Sequence, residues 1–250
     1  MGDVTTVTIL GYKFAYTGFI DMNIFRKIYR KMRGIIKSRE ENKQFDMNVE
    51  RVKERAGKSR CSKYRIVDCG FNQGIVASKL LEKLPGFSLT GFEIQQDIQQ
   101  YVDDVKSRYP DRQIEVIYSA VSDSDGSVEY YEPENWGKNY KGGTTTVQNK
   151  KSISIDYASP KQAPAIDFSR WLREEVSGEE FVFVKMDIEG AEYSVIDSLL
   201  STGAIDLIDV LAVEWHAEKF PEPQRSEYLG VENRIKEYAQ DNSLLVLDWY

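Results

Sequence analysis

Two different periods of hydrophobic and polar residues follow one another along this chain. Over residues 4–16, β-branched and aromatic residues alternate around Gly11, which predicts a short hairpin or an edge ribbon. Over 21–39, apolar residues recur at helical spacing, which predicts an amphipathic helix with Asp21 as its N-cap. Polar residues dominate the next stretch, where we expect a second helix at about 46–56 followed by a linker.

At residue 64 the pattern changes to short apolar runs that alternate with helix-type runs. We expect strands at 64–69, 87–93, 114–121, 181–187, 207–215 and 244–250, and helices at 75–83, 95–108, 167–175, 190–200 and 224–241. This alternation indicates βαβ units and a parallel sheet. The sequence therefore predicts an α/β domain over 64–250. It is preceded by an N-terminal extension over 1–63 with a short β ribbon and basic amphipathic helices.

One long stretch, 122–163, interrupts the alternation and is rich in Ser, Gly, Asp, Asn and Tyr. Such a segment inside a compact domain is typical of a functional loop or lid, and Gly142–Thr146 would be a mobile cover. Its aromatic and acidic residues suit the faces and hydroxyls of a sugar or polyol. These residues are Tyr130, Tyr131, Glu132, Glu134, Trp136 and Tyr140. A hairpin that packs on the edge of the sheet also explains them.

Charge and cysteine content narrow the possible partners and compartment. The net charge of −7 argues against a general nucleic-acid coat. Residues 21–63, however, hold 14 Lys and Arg against 6 Asp and Glu. This basic region is either a solvated helical face or a docking surface for an anionic partner such as nucleic acid, a phosphorylated glycan or a membrane. Cys61 and Cys69 make no disulfide framework and no apolar run is long enough to span a membrane, so we expect a cytoplasmic protein.

The segment from Ile66 to Gly74 carries the first chemical signal. An apolar strand that runs into an acidic residue and two glycines four positions apart, before a helix, is how open α/β sheets build a nucleotide pocket. A purely structural tight turn would explain the glycines as well. Glu93 closes the next strand, where a carboxylate can bind both ribose hydroxyls or can instead cap the following helix.

Asp68 helps to choose between nucleotide ligands. The third glycine of a dinucleotide motif is missing, and no basic residue lies in the turn. An acidic residue beside the glycines would repel a pyrophosphate, whereas it tolerates a cationic amino-acid ligand. The pattern therefore favours S-adenosylmethionine over NAD, and an NAD-dependent oxidoreductase is kept only as an alternative.

Four segments then resemble those of one family, the FkbM methyltransferases. Asp68–Gly74 (D-C-G-F-N-Q-G) matches its D-x-G-x-N-x-G turn, and Ala120–Tyr131 resembles its segment after the third strand. Val184–Glu192 (V-K-M-D-I-E-G-A-E) is similar to its hallmark K-x-D-x-E-G-x-E, and Val213–His216 (V-E-W-H) resembles its late acidic strand end. The resemblance covers about residues 64–250 and does not extend to 1–63.

The resemblance implies a Rossmann-like methyltransferase fold, a mostly parallel twisted sheet with helices on both faces, and S-adenosylmethionine as cofactor. The glycine turn would lie under the methionine part, Glu93 at the ribose, and Ser119–Val121 beside the adenine. Asp187 would lie next to the transferred methyl, or would cap the helix that follows it. The expected cofactor-binding residues are Asp68, Cys69, Gly70, Phe71, Asn72, Gly74, Glu93, Ile94, Ser119, Ala120, Val121 and Asp187.

The residues expected to carry the chemistry are Asp187, Glu214, His216 and Lys185. Methyl transfer to a hydroxyl needs removal of a proton, and His216, the only histidine, follows the fifth strand at the same sheet edge. A lone histidine can equally be a buried structural partner. Asp187, Glu214 and His216 could instead hold a divalent cation, although strand-end acids are common without one, and we expect no metal.

We therefore predict an O-methyltransferase that acts on a hydroxyl of a glycan or small metabolite. One alternative is a nucleic-acid 2′-O-methyltransferase recruited through the basic region, in which charge reversal at Arg26, Arg30 and Arg33 would abolish RNA binding. Another is a catalytically degenerate binding module that uses the fold as a scaffold.

Overall fold

A computed structural model describes the backbone of residues 4–9, 12–17, 22–134, 142–151 and 154–249, and within these ranges the side chains from residue 36 onward. Contacts between Cα atoms divide the chain into two units, residues 1–47 and 48–250. The boundary that the sequence predicts after residue 63 stays a prediction.

The N-terminal segment forms a hairpin and the start of a long helix. Strands β1 (Val4–Ile9) and β2 (Tyr12–Thr17) pair antiparallel, with Val4 opposite Thr17. Helix α1 (Met22–Lys58) is continuous, so the prediction of two helices with a break near residue 39 was wrong. The polar residues after 39 are mostly Glu, Lys, Arg and Gln, which are strong helix formers, so loss of the apolar period did not end the helix. Asp21, the predicted N-cap, lies outside the described residues.

Six parallel strands form the main sheet of residues 48–250. They are β3 (Lys63–Cys69), β4 (Ser88–Phe92), β5 (Ile114–Ile117), β9 (Glu180–Met186), β10 (Val210–Val213) and β11 (Leu245–Asp248). Their order is β11-β10-β9-β3-β4-β5, and every neighbouring pair is parallel. The strand order reverses between β3 and β9. Ligands of open α/β sheets bind at such a switch point, beyond the carboxyl ends of the strands.

Between β5 and β9 the chain builds a second, three-stranded sheet. Its strands are β6 (Ala120–Ser122), β7 (Gly126–Tyr130) and β8 (Lys161–Asp167), in the order β6-β8-β7. The expected single strand over 114–121 is thus two strands, since the chain bends where Ser119 N donates to Ile117 O at 3.0 Å. The expected irregular stretch over 122–163 contains β7 and the start of β8. Most positions of β7 are exposed, and Pro164 lies within β8, so neither strand shows a clear apolar alternation.

Helices and the core complete the α/β arrangement that the sequence predicts. The helices are α2 (Ile75–Lys83), α3 (Gln99–Arg108), α4 (Phe168–Glu175), α5 (Glu192–Thr202) and α6 (Gln224–Asp241), and one-turn 3-10 helices lie at Gln96–Ile98, Ala204–Leu207 and Ala217–Lys219. Apolar side chains from the centre of the sheet and from α4, α5 and α6 form one buried cluster. The fold is the predicted Rossmann-like one. Within the described ranges, no helix has the length and apolar character needed to cross a bilayer.

Candidate active site

A cleft of about 500 Å³ lies beyond the carboxyl ends of β3, β4 and β9. Eleven of the predicted site residues line it: Gly70, Phe71, Asn72, Glu93, Ile94, Ser119, Ala120, Val121, Lys185, Asp187 and Glu214. The other four, Asp68, Cys69, Gly74 and His216, are not among the residues that line it. The structure thus brings most of these residues to one cleft, and their individual roles stay predictions.

The glycine turn is fixed by the two strands beside it. Gly70 has a φ of +91°, and a Cβ atom built on it would lie 2.0 Å from the backbone oxygen of Asp187. The amides of Gly70 and Phe71 both donate to Phe92 O, at 3.0 and 2.9 Å. Asp187 N in turn donates to Cys69 O at 3.0 Å. Glycine is therefore required at position 70 both for its backbone conformation and for the close approach of the loop after β9.

Glu93 joins the glycine turn to the segment after β4. Its Oε2 accepts a hydrogen bond from the backbone N–H of Asn72 at 2.7 Å, and its Oε1 accepts one from the backbone N–H of Gln95 at 3.0 Å. The side chain is buried, and burial raises the pKa of Glu93, although hydrogen bonds from Gln95 and Asn72 oppose that rise. The carboxylate thus makes the helix-start contact that was the alternative to ribose binding. Each carboxylate oxygen can accept a second bond, and Glu93 lines the cleft.

Asp68 lies below the turn, fully buried, and faces Lys185. The Lys185 ammonium is 3.2 Å from Asp68 Oδ1 and 3.5 Å from Asp187 Oδ2, and it donates to Gly70 O at 3.2 Å. Burial alone lowers the pKa of Lys185, but the charges of Asp68 and Asp187 outweigh burial and raise it above its ordinary value. Lys185 therefore stays charged and links the strand end of β3 to that of β9.

His216 is completely buried behind the cleft wall, among carboxylates. Its Nδ1 is 2.7 Å from Glu192 Oε1. Its Nε2 faces three more acids, at 3.4 Å from Glu189 Oε2, 3.5 Å from Glu214 Oε1 and 3.8 Å from Asp187 Oδ1. Among the described residues, none makes a hydrogen bond to Nε2.

These carboxylates determine the charge of the ring. Burial alone lowers the pKa of His216, but the carboxylates of Glu192 and Glu214 and the charge of Glu189 outweigh it and raise the pKa to about 10. The imidazole is therefore protonated at neutral pH when no other cation is bound. A ring in this state cannot accept a proton, which argues against the general-base role predicted for His216.

The comparison with known families agrees with this geometry. The family described as "Methyltransferase FkbM domain" matches residues 68–240. The chain belongs to the FkbM methyltransferase family. A search of curated proteins found no match.

In this FkbM methyltransferase, residues 142–151 cover part of the cleft. Gly142–Thr146 line it, as the predicted cover would. Gln95 Nε2 donates to Thr144 Oγ1 at 2.7 Å, and Thr145 Oγ1 donates to Glu189 O at 2.8 Å. Lys150 is buried and donates to Gly143 O at 2.9 Å and to Glu189 Oε2 at 2.5 Å. The segment is thus held by polar contacts on both sides of the cleft.

Within the described residues, the tyrosines of the predicted sugar-binding surface do not form an open platform. Tyr130 and Tyr131 are buried, and the Tyr131 ring packs on Tyr157 with a centroid distance of 5.0 Å. Tyr131 N donates to Thr145 O at 2.8 Å, so Tyr131 contacts the covering segment, which agrees with the hairpin alternative. Trp136 and Tyr140 lie outside the described residues.

Glu192 and Lys150 are two residues beside the cleft that the sequence analysis did not assign. Glu192 is the last residue of the quoted segment Val184–Glu192, so a signal for it was present. Its side chain accepts the Gly190 amide at 2.9 Å as well as contacting His216. Lys150 lies in a polar stretch far from Glu189 in sequence, and no local pattern distinguishes it from its exposed neighbour Lys151.

Proposed function

We propose that this protein is an S-adenosylmethionine-dependent O-methyltransferase that acts on a hydroxyl of a glycan or small metabolite. The observation that carries the proposal is the layout of the cleft. Glu93, the glycine turn, Asp187 and Glu214 all line this one cleft. We assign Glu93 and the glycine turn to a cofactor end, and Asp187 and Glu214 to an acceptor end. A carboxylate suits the two ribose hydroxyls, and acids at strand ends suit an incoming hydroxyl.

The donors and acceptors of the cleft fit this cofactor. Asn72 Oδ1 is buried and has no hydrogen-bond partner within the described part of the chain, so it can accept a bond from the cofactor's ammonium group. Glu93 retains free lone pairs for the ribose. Ser119, Ala120 and Val121 line the cleft where the adenine would pack. S-adenosylmethionine supplies a methyl group already activated on a sulfonium sulfur.

The residues of the acceptor end would orient the hydroxyl and take its proton. Asp187 and Glu214 each expose 29 % of their side chains, so both can contact an acceptor. Lys185 holds Asp187 in place from below. We assign Glu214 as the proton acceptor, because Lys185 lies 3.5 Å from Asp187 Oδ2 and His216 does not line the cleft. The cofactor would supply the methyl group, with the electron pair of its broken S–C bond staying on sulfur, and Glu214 would take the hydroxyl proton as the acceptor oxygen forms its new bond to carbon.

We assign the cytoplasm as the compartment of this activity. Cys61 and Cys69 are both free thiols, which agrees with a reducing environment.

Calorimetry with S-adenosylhomocysteine tests the cofactor. We expect saturable binding by the full chain and none of NAD. Glu93→Ala should raise the dissociation constant at least about 10-fold, because hydrogen bonds to a charged group each contribute about 1.5–3 kcal/mol. Glu115→Ala is the matched control, since this exposed glutamate lies on the neighbouring strand β5 and should leave binding unchanged. Binding of NAD without S-adenosylhomocysteine would refute the proposal.

A further inference from the structure

The acidic cluster around His216 has the geometry of a metal site. Asp187, Glu214 and His216 each offer one ligand atom, and these atoms all lie within 4.8 Å of one another. His216 Nε2 is 3.5 Å from Glu214 Oε1 and 3.8 Å from Asp187 Oδ1. These separations are longer than the ordinary 2.7–3.2 Å or so of N–H···O hydrogen bonds. Ligand atoms about 2.1 Å from one shared ion stand about 3.0–3.5 Å apart, so the Glu214 distance lies within this range and the Asp187 distance is slightly longer.

The imidazole of His216 is oriented as a metal ligand would be. A metal-binding histidine commonly donates its other ring N–H to a carboxylate, which fixes the tautomer. Here Nδ1 is 2.7 Å from Glu192 Oε1, and both side chains are fully buried. Nε2 points into the cluster and has no hydrogen-bond partner in the described ranges. A buried nitrogen aimed at carboxylates it does not hydrogen-bond indicates a cation between them.

The charges of the cluster leave room for a divalent ion. The ion pairs of the cluster contain five carboxylates and three lysines. When the His216 imidazole is neutral, the cluster therefore carries a net charge of −2. The carboxylates are Asp68, Asp187, Glu189, Glu192 and Glu214, and the lysines are Lys150, Lys185 and Lys219. Glu189 Oε2 already contacts Lys150 and Lys219, so this oxygen is not free to be a ligand.

We propose that Asp187, Glu214 and His216 bind a divalent metal ion at the acceptor end of the cleft, although the sequence alone did not favour one. Two carboxylates and an imidazole suit a first-row ion such as Mn²⁺ better than Ca²⁺, which takes six to eight oxygen ligands. Asp187 and Glu214 line the cleft, so the remaining coordination positions would face an acceptor.

The role of the ion rests on the proposed function. A hydroxyl oxygen bound to the metal would have a lowered pKa, and the second carboxylate oxygen of Glu214 would take its proton. An acceptor with two neighbouring hydroxyls could bind the ion through both oxygens. A vicinal diol, such as that of a sugar ring, would fit an ion held in this way.

Metal binding can be measured without any acceptor. The full chain, treated with EDTA and then dialysed free of the chelator, is titrated with MnCl₂, and free Mn²⁺ is followed by electron paramagnetic resonance. We expect one saturable site that excess Ca²⁺ does not displace. Asp187→Asn and Glu214→Gln should each weaken binding at least about 10-fold. Glu218→Gln is the matched control, because this acid lies two residues beyond His216 and its side chain is 73 % exposed.

The same samples separate failure of the metal site from failure of the proposed function. A chain that binds S-adenosylhomocysteine but no Mn²⁺, or whose two variants bind Mn²⁺ as tightly as the parent, overturns the metal site alone. If the parent chain does not bind S-adenosylhomocysteine, the proposed function is overturned. Anomalous diffraction from Mn²⁺-soaked crystals of the parent chain avoids variants that fail to fold. A peak between the three ligand atoms supports the site, and a peak only elsewhere refutes it.

Discussion

The buried Lys185 ammonium links the strand ends of β3 and β9 beneath the cleft. Its ammonium contacts Asp68, Asp187 and the carbonyl of Gly70, and its side chain is only 2 % exposed. Asp68 lies below the turn and has no other ion-pair partner among the described residues, so its carboxylate relies on this lysine. At the residue scale, the predicted cofactor residue Asp68 therefore acts on the site through Lys185.

We expect Lys185→Met to lower the free energy of unfolding by about 3–5 kcal/mol, because it leaves a buried carboxylate without its cation. Urea denaturation measures the loss. Lys236→Met is the control, since Lys236 is 44 % exposed and its pairs with Glu232 and Asp248 should contribute about 0–1 kcal/mol. The double variant Asp68→Leu/Lys185→Met should recover much of the stability. Equal losses for the two lysine variants would contradict this assignment.

The turn between β3 and α2 depends on a contact with the end of β9. Gly70 and Gly86 have nearly the same positive φ, +91° and +96°, but only Gly70 would bring a Cβ atom against another backbone. Gly86→Ala should thus lower the free energy of unfolding by only about 1–2 kcal/mol, the cost of a left-handed backbone at a residue with a Cβ atom. Gly70→Ala should cost clearly more and should also weaken S-adenosylhomocysteine binding. Chemical denaturation and calorimetry on both variants test this, and similar losses of stability would contradict it.

At the scale of elements, buried strands can be predicted from the sequence and exposed strands cannot. The strands β3, β9 and β10 are buried along most of their length, so continuous apolar runs identify them. Strand β7 is largely exposed, and its partner β8 is distant in sequence, so no local pattern shows the second sheet. Glu93, Asp187 and Glu214 could be predicted because they follow strands directly. Lys150 could not, since only the tertiary fold brings it to Glu189.

At the scale of the whole molecule, the cleft lies entirely within residues 48–250. The C-terminal turns of α1 belong to the same unit, where Val49, Val52 and Ala56 are buried and Asn48 Nδ2 donates to Asp248 O at 3.0 Å. The domain that the sequence predicts, starting at residue 64, would lack these side chains.

We therefore expect a chain that begins at Asn48 to bind S-adenosylhomocysteine as the full chain does. A chain that begins at Tyr64 should be less stable by several kcal/mol, since burying each valine contributes about 1.5–3 kcal/mol. Thermal melts and calorimetry on the two truncations measure this. If both are equally stable, the domain starts at residue 64 as predicted from the sequence. RNA binding by these truncations tests the nucleic-acid alternative, because both lack the basic residues at 26–33. That alternative expects RNA binding by the full chain and by neither truncation.

His216 also gives this protein a built-in spectroscopic reporter. It is the only histidine among the 250 residues, and its ring is fully buried beside the cleft. A chain labelled with ¹³C-histidine and carrying no added tag would therefore give a single imidazole signal. Its chemical shift depends on whether Nε2 carries a proton or a diamagnetic ion, and paramagnetic Mn²⁺ would broaden it beyond detection. One resonance can thus follow the acidic cluster while cofactor, metal and acceptor are added in any order.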